Sequence, residues 1–294
     1  MTKLKVVNIG PNEWFSPHFA YNDELFETYN FDPIKSKASL ITFCNEVNPD
    51  ILLVFRGDMV RNSLYQLRNI FQVEFSSEIY PTNVFSVKKS EWIATKKFMH
   101  CLRNINPLSN IVHYDQSRKK FFEALNIAVD YHFLPVNLSF FDSLCEKDID
   151  LLFFGRASDK RCTAFSRLKE SGLKFVWIEN GLDWKELSVF ISRSKVVINI
   201  TAEDIDNFEP RVLLALAGGS RVITEPSVGL DYFLQAYPEF SHHVKIISPV
   251  SSEIISAYYE LSVSQNISIK NSINVDFLST NSFLKSYVGI SENE

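Results

Sequence analysis

The second half of the chain alternates short apolar runs with segments of helical periodicity, and this alternation constrains the fold more than any other feature. The apolar runs are LLFF, FVWI, VVINI, VIT and VKII, in that order. The segments between them carry helical signals, such as Asp183 as an N-cap and Gly172 as a helix stop. Strands and helices that alternate at this spacing predict a parallel sheet wound with helices.

The first half shows the same alternation less regularly. Lys5–Gly10 predicts a first strand, Ile51–Phe55 a strand covered on both faces, the run FQVEFSSE a third strand and the run NIVHYD a fourth. Helical signals lie between these runs and again from Ser90 onward. The pattern breaks after Pro135, where a polar stretch up to Asp150 is typical of a linker.

The sequence therefore predicts an α/β protein of two Rossmann-like domains that face each other across a cleft. The first domain is expected over residues 1–140 and the second over residues 141–265. The tail, residues 266–294, is polar with one apolar patch, FLSTNSFLKSYV. This patch is consistent with a last helix that packs back onto the first domain.

The charge balance and the cysteines disfavour several classes of protein. The net charge is -5, and the sequence has no basic stripe of the kind that binds nucleic acid. The four cysteines form no CxxC pair, which disfavours zinc and disulfides and favours free thiols in a reducing compartment. The N-terminus has no long apolar signal segment, so a cytoplasmic location is expected. Peripheral contact with a membrane surface is compatible with this composition.

Ligands of open parallel sheets bind outside the carboxyl ends of the strands, which selects a few loops. The first such loop of the second domain begins at Gly155 and carries Arg156, Lys160 and Arg161. These cations suit phosphate oxygens, and a solvated, charged helix start is the equally weighted alternative. Because a cation at a helix N-terminus opposes the helix dipole, the anion site is favoured.

A later loop, TAEDIDNF, places several acids ahead of Pro210 and Arg211. Acids before a helix favour its dipole, so capping is their simplest role. Proline suits the first helical position, and a helix start that points into a cleft binds anions, with Arg211 adding charge. Gly218 and Gly219 are predicted to end this helix. The two Asp-Ile-Asp stretches lack the context of a divalent metal site.

Three stretches, in order, resemble the donor-binding domain of GT-B glycosyltransferases, in particular the spore-maturation CgeB-like branch of glycosyltransferase group 1. They are LLFFGRASDKR, GLDWKELSVFISRSKVVINI and RVLLALAGGSRVITE, followed by SVGLDYF. The match covers residues 148–235, whereas the first domain matches only as a generic strand-helix pattern. Leu214 is a departure, since the family usually carries there a glutamate that hydrogen-bonds the donor ribose. Glu209 and Asp206 are the candidate substitutes.

The resemblance implies a metal-independent glycosyltransferase that moves a sugar from a nucleotide-activated donor to a glycan or lipid-linked acceptor, in bacterial surface polysaccharide or glycoconjugate synthesis. It implies no cofactor beyond the donor substrate. The residues expected to bind the donor and its phosphates are Gly155, Arg156, Lys160, Asn199, Glu209, Arg211 and Gly229. An inverting reaction needs a general base in the first domain. The candidates that follow predicted strands are Glu13, His18, Asp58 and Glu78, of which Asp58 and Glu78 are selected.

Two other functions fit the same sequence. The missing ribose acid is compatible with a non-catalytic subunit that binds nucleotide sugars, and the architecture is compatible with a GT-B-type sugar epimerase. Nucleotide binding without transfer would favour the subunit, and release of free epimerised sugar would favour the epimerase.

Overall fold

The computed structural model describes residues 2–81, 109–141, 145–202, 206–263 and 275–289. The chain divides into two compact units. The first unit comprises Met1–Asn137 together with Ser279–Glu294, and the second comprises Leu138–Leu278. The helix predicted from Ser90 and the loop residues 203–205 lie outside the described residues.

The first unit contains a parallel β-sheet. Its strands are β1 Leu4–Ile9, β2 Phe26–Phe31, β3 Ile51–Val54, β4 Phe71–Ser76, β5 Asn110–His113 and β6 Asp130–Tyr131. They lie in the order β2-β1-β3-β4-β5-β6, and each neighbouring pair is parallel. The sequence predicts β1, β3, β4 and β5 but misses β2 and β6. Strand β2 lies at an edge and is half-exposed over most of its length, so it lacks the apolar run of a buried strand.

Helices connect these strands. They are α1 Asn12–Phe15, α2 Leu40–Val47, α3 Gly57–Gln66 and α4 Lys119–Ala124, with short 3-10 turns at Ser16–His18 and Gln116–Arg118. The C-terminal helix, Thr280–Val288, also belongs to the first unit. Ser279 forms a β-bridge with Val136, and the Thr280 N–H donates to the Val136 carbonyl (3.0 Å). The end of the chain is thereby joined to the segment that leaves β6.

The second unit contains another parallel sheet, and the sequence predicts all five strands that the described residues form. They are β7 Ile149–Phe154, β8 Phe175–Ile178, β9 Ser194–Asn199, β10 Arg221–Thr224 and β11 Val244–Ile246. Their order is β11-β10-β9-β7-β8, again with parallel neighbours. The helices are α5 Asp159–Phe165, α6 Trp184–Arg193, α7 Arg211–Ala217, α8 Val228–Ala236 and α9 Ser251–Val263. The 3-10 turns are Leu138–Phe141, Leu168–Ser171, Pro238–His243 and Asp276–Leu278.

Local sequence explains where these helices begin and end. Asp183 opens α6 with a capping box, because its carboxylate accepts from the Glu186 N–H while the Glu186 carboxylate accepts from the Asp183 N–H. Helix α7 ends at Gly218, and Gly219 follows with a positive φ of 73°. Glycine adopts this conformation without steric cost, so the paired glycines are the predicted helix stop. Every α7 residue after Arg211 is buried.

In both sheets the strand order reverses beside the first strand, between β1 and β3 in one unit and between β7 and β9 in the other. The chain leaves the two strands of such a pair toward opposite faces, which opens a crevice at their carboxyl ends. The predicted α/β class with two parallel-sheet, Rossmann-like domains is confirmed. The structure also fixes which loops border each crevice, and those loops carry the candidate site.

Candidate functional site

Arg211 joins the ends of the two strands that border the crevice of the second unit. Its Nε donates to the Phe154 carbonyl (2.9 Å), at the end of β7. Its Nη1 donates to Oδ1 of Asn199, at the end of β9. The guanidinium lies 4.9 Å from the Phe153 ring centroid and 5.3 Å from that of Phe154, within cation–π range. Burial lowers the pKa of Arg211.

A second arginine, Arg161, lies beside it and is only 3% exposed. Its Nε donates to the Ile200 carbonyl (2.8 Å) and its Nη1 to the Arg156 carbonyl (2.8 Å), so it connects the loops that follow β9 and β7. Its guanidinium lies 4.8 Å from the Phe153 centroid. Burial, and then the positive charge of Arg211, lower the pKa of Arg161 to about 10.

Gly155 lies between the two guanidinium groups. Its φ of +140° belongs to the region that side chains other than glycine rarely adopt. A Cβ at this position would lie 3.1 Å from Nη2 of Arg211 and 3.5 Å from Nη1 of Arg161. Both arginines therefore reach the same point at the end of β7, and a glycine leaves that point open.

Within the described part of the chain, no close carboxylate neutralises Arg161 or Arg211. Among the described residues, no carboxylate oxygen lies within the 4.0 Å ion-pair distance of Arg161 or Arg211, and Glu209 acts on both only at longer range. Each guanidinium has five N–H donors, of which two are bonded as given above. A buried and a half-buried cation with no close counter-ion among the described residues are costly, and an anionic ligand would offset that cost.

Next to the arginines lies a polar cavity of about 200 Å³. Its lining residues are Lys160, Asn199, Thr201, Asp206, Asn207, Glu225 and Pro226. Nζ of Lys160 lies 2.6 Å from Oε1 of Glu225 and donates to Oγ1 of Thr201 (3.0 Å). The Thr201 N–H and hydroxyl both donate to Oε2 of Glu225 (2.8 and 3.0 Å). Lys160 thus reaches the predicted site, but Glu225 already balances its charge.

The other predicted donor-site residues occupy different settings. Asn199 is buried and donates from Nδ2 to Oγ1 of Thr224 (2.9 Å), which orients its Oδ1 toward Arg211. Glu209 accepts from Nδ2 of Asn207 (3.2 Å). Arg156 is exposed, although its carbonyl serves Arg161.

Gly229 is buried in the first turn of α8. Ser227 caps this helix, and the Val228 N–H donates to Oδ1 of Asp206 (3.1 Å). A carboxylate of the protein thus lies at the helix start where the resemblance implies donor phosphate.

Sequence reasoning selected neither Arg161 nor Glu225 as a site residue. Arg161 stands in the charged loop from which Arg156 and Lys160 were selected, and only its burial distinguishes it. Glu225 follows β10 directly, so its position at a strand end was the available signal. Leu214 is 3% exposed within α7, so the position that carries the family's ribose acid lies in the apolar core.

The predicted bases in the first unit lie close to one another. Nε and Nη2 of Arg56 donate to the two oxygens of Asp58, each at 2.7 Å. Nη1 of Arg56 lies 3.9 Å from Oε1 of Glu78. Arg56 and Asp58 follow β3 and Glu78 follows β4, so the structure brings the two acids together around one arginine.

The part of the chain that the structure describes contains neither a candidate metal centre nor a candidate membrane-spanning helix. No group of three or more histidine, cysteine, aspartate and glutamate side chains is arranged to hold a metal ion. No helix there is long and apolar enough to cross a lipid bilayer.

No protein-family model matches the sequence, and no curated protein matches it. Solved structures do match over nearly the whole chain. A UDP-N-acetylglucosamine 2-epimerase matches with a TM-score of 0.53 and 11% identity, over 100% of this chain and 98% of that chain. Anabaena Alr3699/HepE in complex with UDP-glucose matches with a TM-score of 0.53 and 9% identity, over 98% of this chain and 100% of that chain. AviGT4, a glycosyltransferase involved in avilamycin A biosynthesis, matches with a TM-score of 0.54 and 11% identity, over 97% of this chain and 96% of that chain.

These matches place the chain in a structural class. The two parallel-sheet α/β domains are those of the GT-B fold, as the sequence predicts, and the likeness extends over both units. At these identities the likeness concerns the fold, and function has to be argued from the site.

Proposed function

We propose that the chain is a glycosyltransferase that takes its sugar from a nucleotide diphosphate donor bound to the second unit. One observation carries the proposal: Arg161, which is buried, and Arg211, which is half-buried, meet at the crevice between β7 and β9 and have no carboxylate within ion-pair distance in the described residues. A diphosphate is an anion of suitable chemistry, because guanidinium N–H groups bind phosphate oxygens in pairs. The CgeB-like resemblance of residues 148–235 supports the same assignment.

The arginines would also act on the reaction itself. As the acceptor hydroxyl attacks the anomeric carbon, the bond from that carbon to the diphosphate oxygen breaks, and negative charge grows on the leaving group. Donors that are fixed in place before the reaction stabilise this charge without reorganisation. Arg161 and Arg211 are fixed by backbone carbonyls and by the Phe153 ring, so we assign them this role.

The cavity beside the arginines would hold another part of the donor. Asp206 supplies a carboxylate, which accepts hydrogen bonds from hydroxyl groups, and Asn207 supplies an amide. With Leu214 buried and apolar, Asp206 would replace the family's ribose-binding glutamate. UDP is the first nucleotide to test, because the neighbour Alr3699/HepE was solved with UDP-glucose.

Of the two candidate bases, the geometry favours Glu78. Both oxygens of Asp58 accept from Arg56, so few lone pairs remain for a substrate proton. Glu78 has one oxygen 3.9 Å from Arg56, and its side chain is 27% exposed. In an inverting reaction Glu78 would take the proton of the acceptor hydroxyl.

A thermal-shift screen of UDP-, GDP-, dTDP-, ADP- and CMP-linked sugars tests the donor site, since a ligand that binds only the folded chain raises the unfolding midpoint. Product analysis with the nucleotide that binds then separates the functions. Nucleoside diphosphate released together with a glycosylated acceptor supports the proposal. Free epimerised sugar would identify an epimerase, and binding without turnover a non-catalytic subunit. If no donor shifts the midpoint, the donor site is misassigned.

A further inference from the structure

We propose that the first unit carries a carbohydrate platform, formed by Trp14, Arg56, Asp58 and Glu78, that takes an uncharged sugar ring as the acceptor. The inference rests on the proposed function, because it assigns the acceptor of the same transfer reaction. It narrows the acceptor to the neutral end of a glycan and disfavours an acceptor group that bears phosphate.

The platform lies where the first sheet is expected to bind ligands. Trp14 is in α1, which follows β1, whereas Arg56 and Asp58 follow β3 and Glu78 follows β4. These three strands are neighbours in the sheet, and all are parallel. Their carboxyl ends therefore meet at one edge, beside the reversal of strand order between β1 and β3.

Trp14 presents a large aromatic surface to solvent, with 46% of the residue exposed. Its neighbour Phe15 points inward and stacks on Phe55, with the ring centroids 5.4 Å apart. Because Phe15 anchors this turn of chain, Trp14 is held on the outer side. The Arg56 guanidinium carbon lies 5.9 Å from the Trp14 ring centroid, which further restrains the indole. A restrained, exposed indole can pack against the C–H face of a sugar ring.

The polar groups around the indole suit hydroxyl donors. Ionised carboxylates accept hydrogen bonds and donate none, and Glu78 is the more accessible of the two, at 27% side-chain exposure against 7% for Asp58. One arginine and two carboxylates leave the platform with a net negative charge. A phosphate or carboxylate on the ligand would be repelled, whereas a neutral polyol would not.

Arg56 is a positioning residue in this arrangement. Its guanidinium holds Asp58 in a bidentate ion pair, approaches Glu78 and restrains Trp14. It thereby sets the spacing between the aromatic surface and the hydrogen-bond acceptors that a sugar would use together.

The test is a glycan array probed with the full-length chain, with UDP titrated separately. The array carries neutral oligosaccharides alongside phosphorylated and sialylated forms of the same sugars. We expect the wild type to bind neutral members in preference to charged ones. Trp14→Ala should weaken this binding about tenfold, while Trp14→Phe retains most of it. Tyr259→Ala removes an aromatic side chain of similar exposure on α9 and should change nothing. Glu78→Gln should raise binding of the phosphorylated members.

The proposal is overturned if the wild type binds no neutral glycan, if charged glycans bind better, or if Trp14→Ala binds as the wild type does. Unfolding midpoints of the variants show that each is folded. UDP affinity should be the same in the wild type and in Trp14→Ala. A platform that fails while a nucleotide still binds leaves the donor site intact, whereas a wild type that binds none of the UDP-, GDP-, dTDP-, ADP- and CMP-linked sugars refutes the proposed function.

Discussion

Arg211→Met gives the sharpest test of the donor site, because it removes a charge while keeping most of the packing. Methionine can still fill the space against the Phe153 and Phe154 rings, which lie 4.9 and 5.3 Å from the guanidinium carbon. The Phe154 carbonyl and Oδ1 of Asn199 lose a donor, while the half-buried position no longer holds a cation that lacks a close counter-ion among the described residues. These effects on the free energy of unfolding oppose each other, so the variant should remain folded.

Arg211→Met should weaken the binding of UDP, and this effect is larger than the effect on the free energy of unfolding. Three of the five N–H groups of Arg211 remain for a ligand once Phe154 and Asn199 are bonded. A hydrogen bond between charged partners contributes about 1.5–3 kcal/mol. Loss of even one such bond to a phosphate oxygen should weaken UDP binding about 10- to 100-fold.

Isothermal titration with UDP measures this loss, and Arg221→Met is the matched control. Arg221 is also partly buried and also donates to a backbone carbonyl, that of Leu261. It stands at the amino end of β10, opposite the edge that carries the site. The reasoning fails if Arg211→Met binds UDP within twofold of the wild type, or if Arg221→Met loses as much affinity.

Three further predictions concern the packing around both crevices. Gly155→Ala places a Cβ 3.1 Å from Nη2 of Arg211 at a φ of +140°. Urea unfolding should show that the free energy of unfolding falls by about 1–3 kcal/mol, and titration should show a weaker affinity for UDP. In Gly57→Ala the new Cβ would collide with the Glu74 carboxylate, and the free energy of unfolding should fall by about 1–3 kcal/mol. An unchanged urea midpoint of unfolding would show that Glu74 moves aside without cost. Burial lowers the pKa of His18 to about 4, so the unfolded chain takes up a proton between pH 6.5 and 4 that the folded chain excludes. Between pH 6.5 and 4 the wild type should lose about 3 kcal/mol more free energy of unfolding than His18→Gln, because His113 contributes a similar fall to both, and an equal fall in the two proteins would contradict this cause.

The sequence predicted most strands because buried parallel strands leave an uninterrupted apolar run. Strands β7 to β11 have such runs, and turn residues such as Gly172 and Gly219 separate them with positive φ angles. Strand β2 was missed because it is half-exposed and carries the polar residues Glu27 and Asn30. Its strand character comes from pairing with β1, which is a contact between distant segments that local periodicity does not record.

The site was predicted less completely, since charge in a loop does not reveal the partner of that charge. Lys160 and Arg161 are adjacent in sequence, yet Lys160 pairs with Glu225 while Arg161 turns inward to the Ile200 carbonyl. Both partners come from later strand-end loops. Position in the chain therefore indicated the loop, and only the folded structure distinguished Lys160, whose charge Glu225 balances, from Arg161, which has no close counter-ion among the described residues.

The sequence by itself determined most of the secondary structure and the fold class, because apolar periodicity, caps and glycine stops act over a few residues. It also determined that Arg211 heads a helix that follows a strand. The tertiary structure alone decided the order of the strands, since hydrogen bonds between strands join segments that are far apart in the chain. That order brings the ends of β7 and β9 together, and it thereby places Arg161, Gly155 and Arg211 at one point.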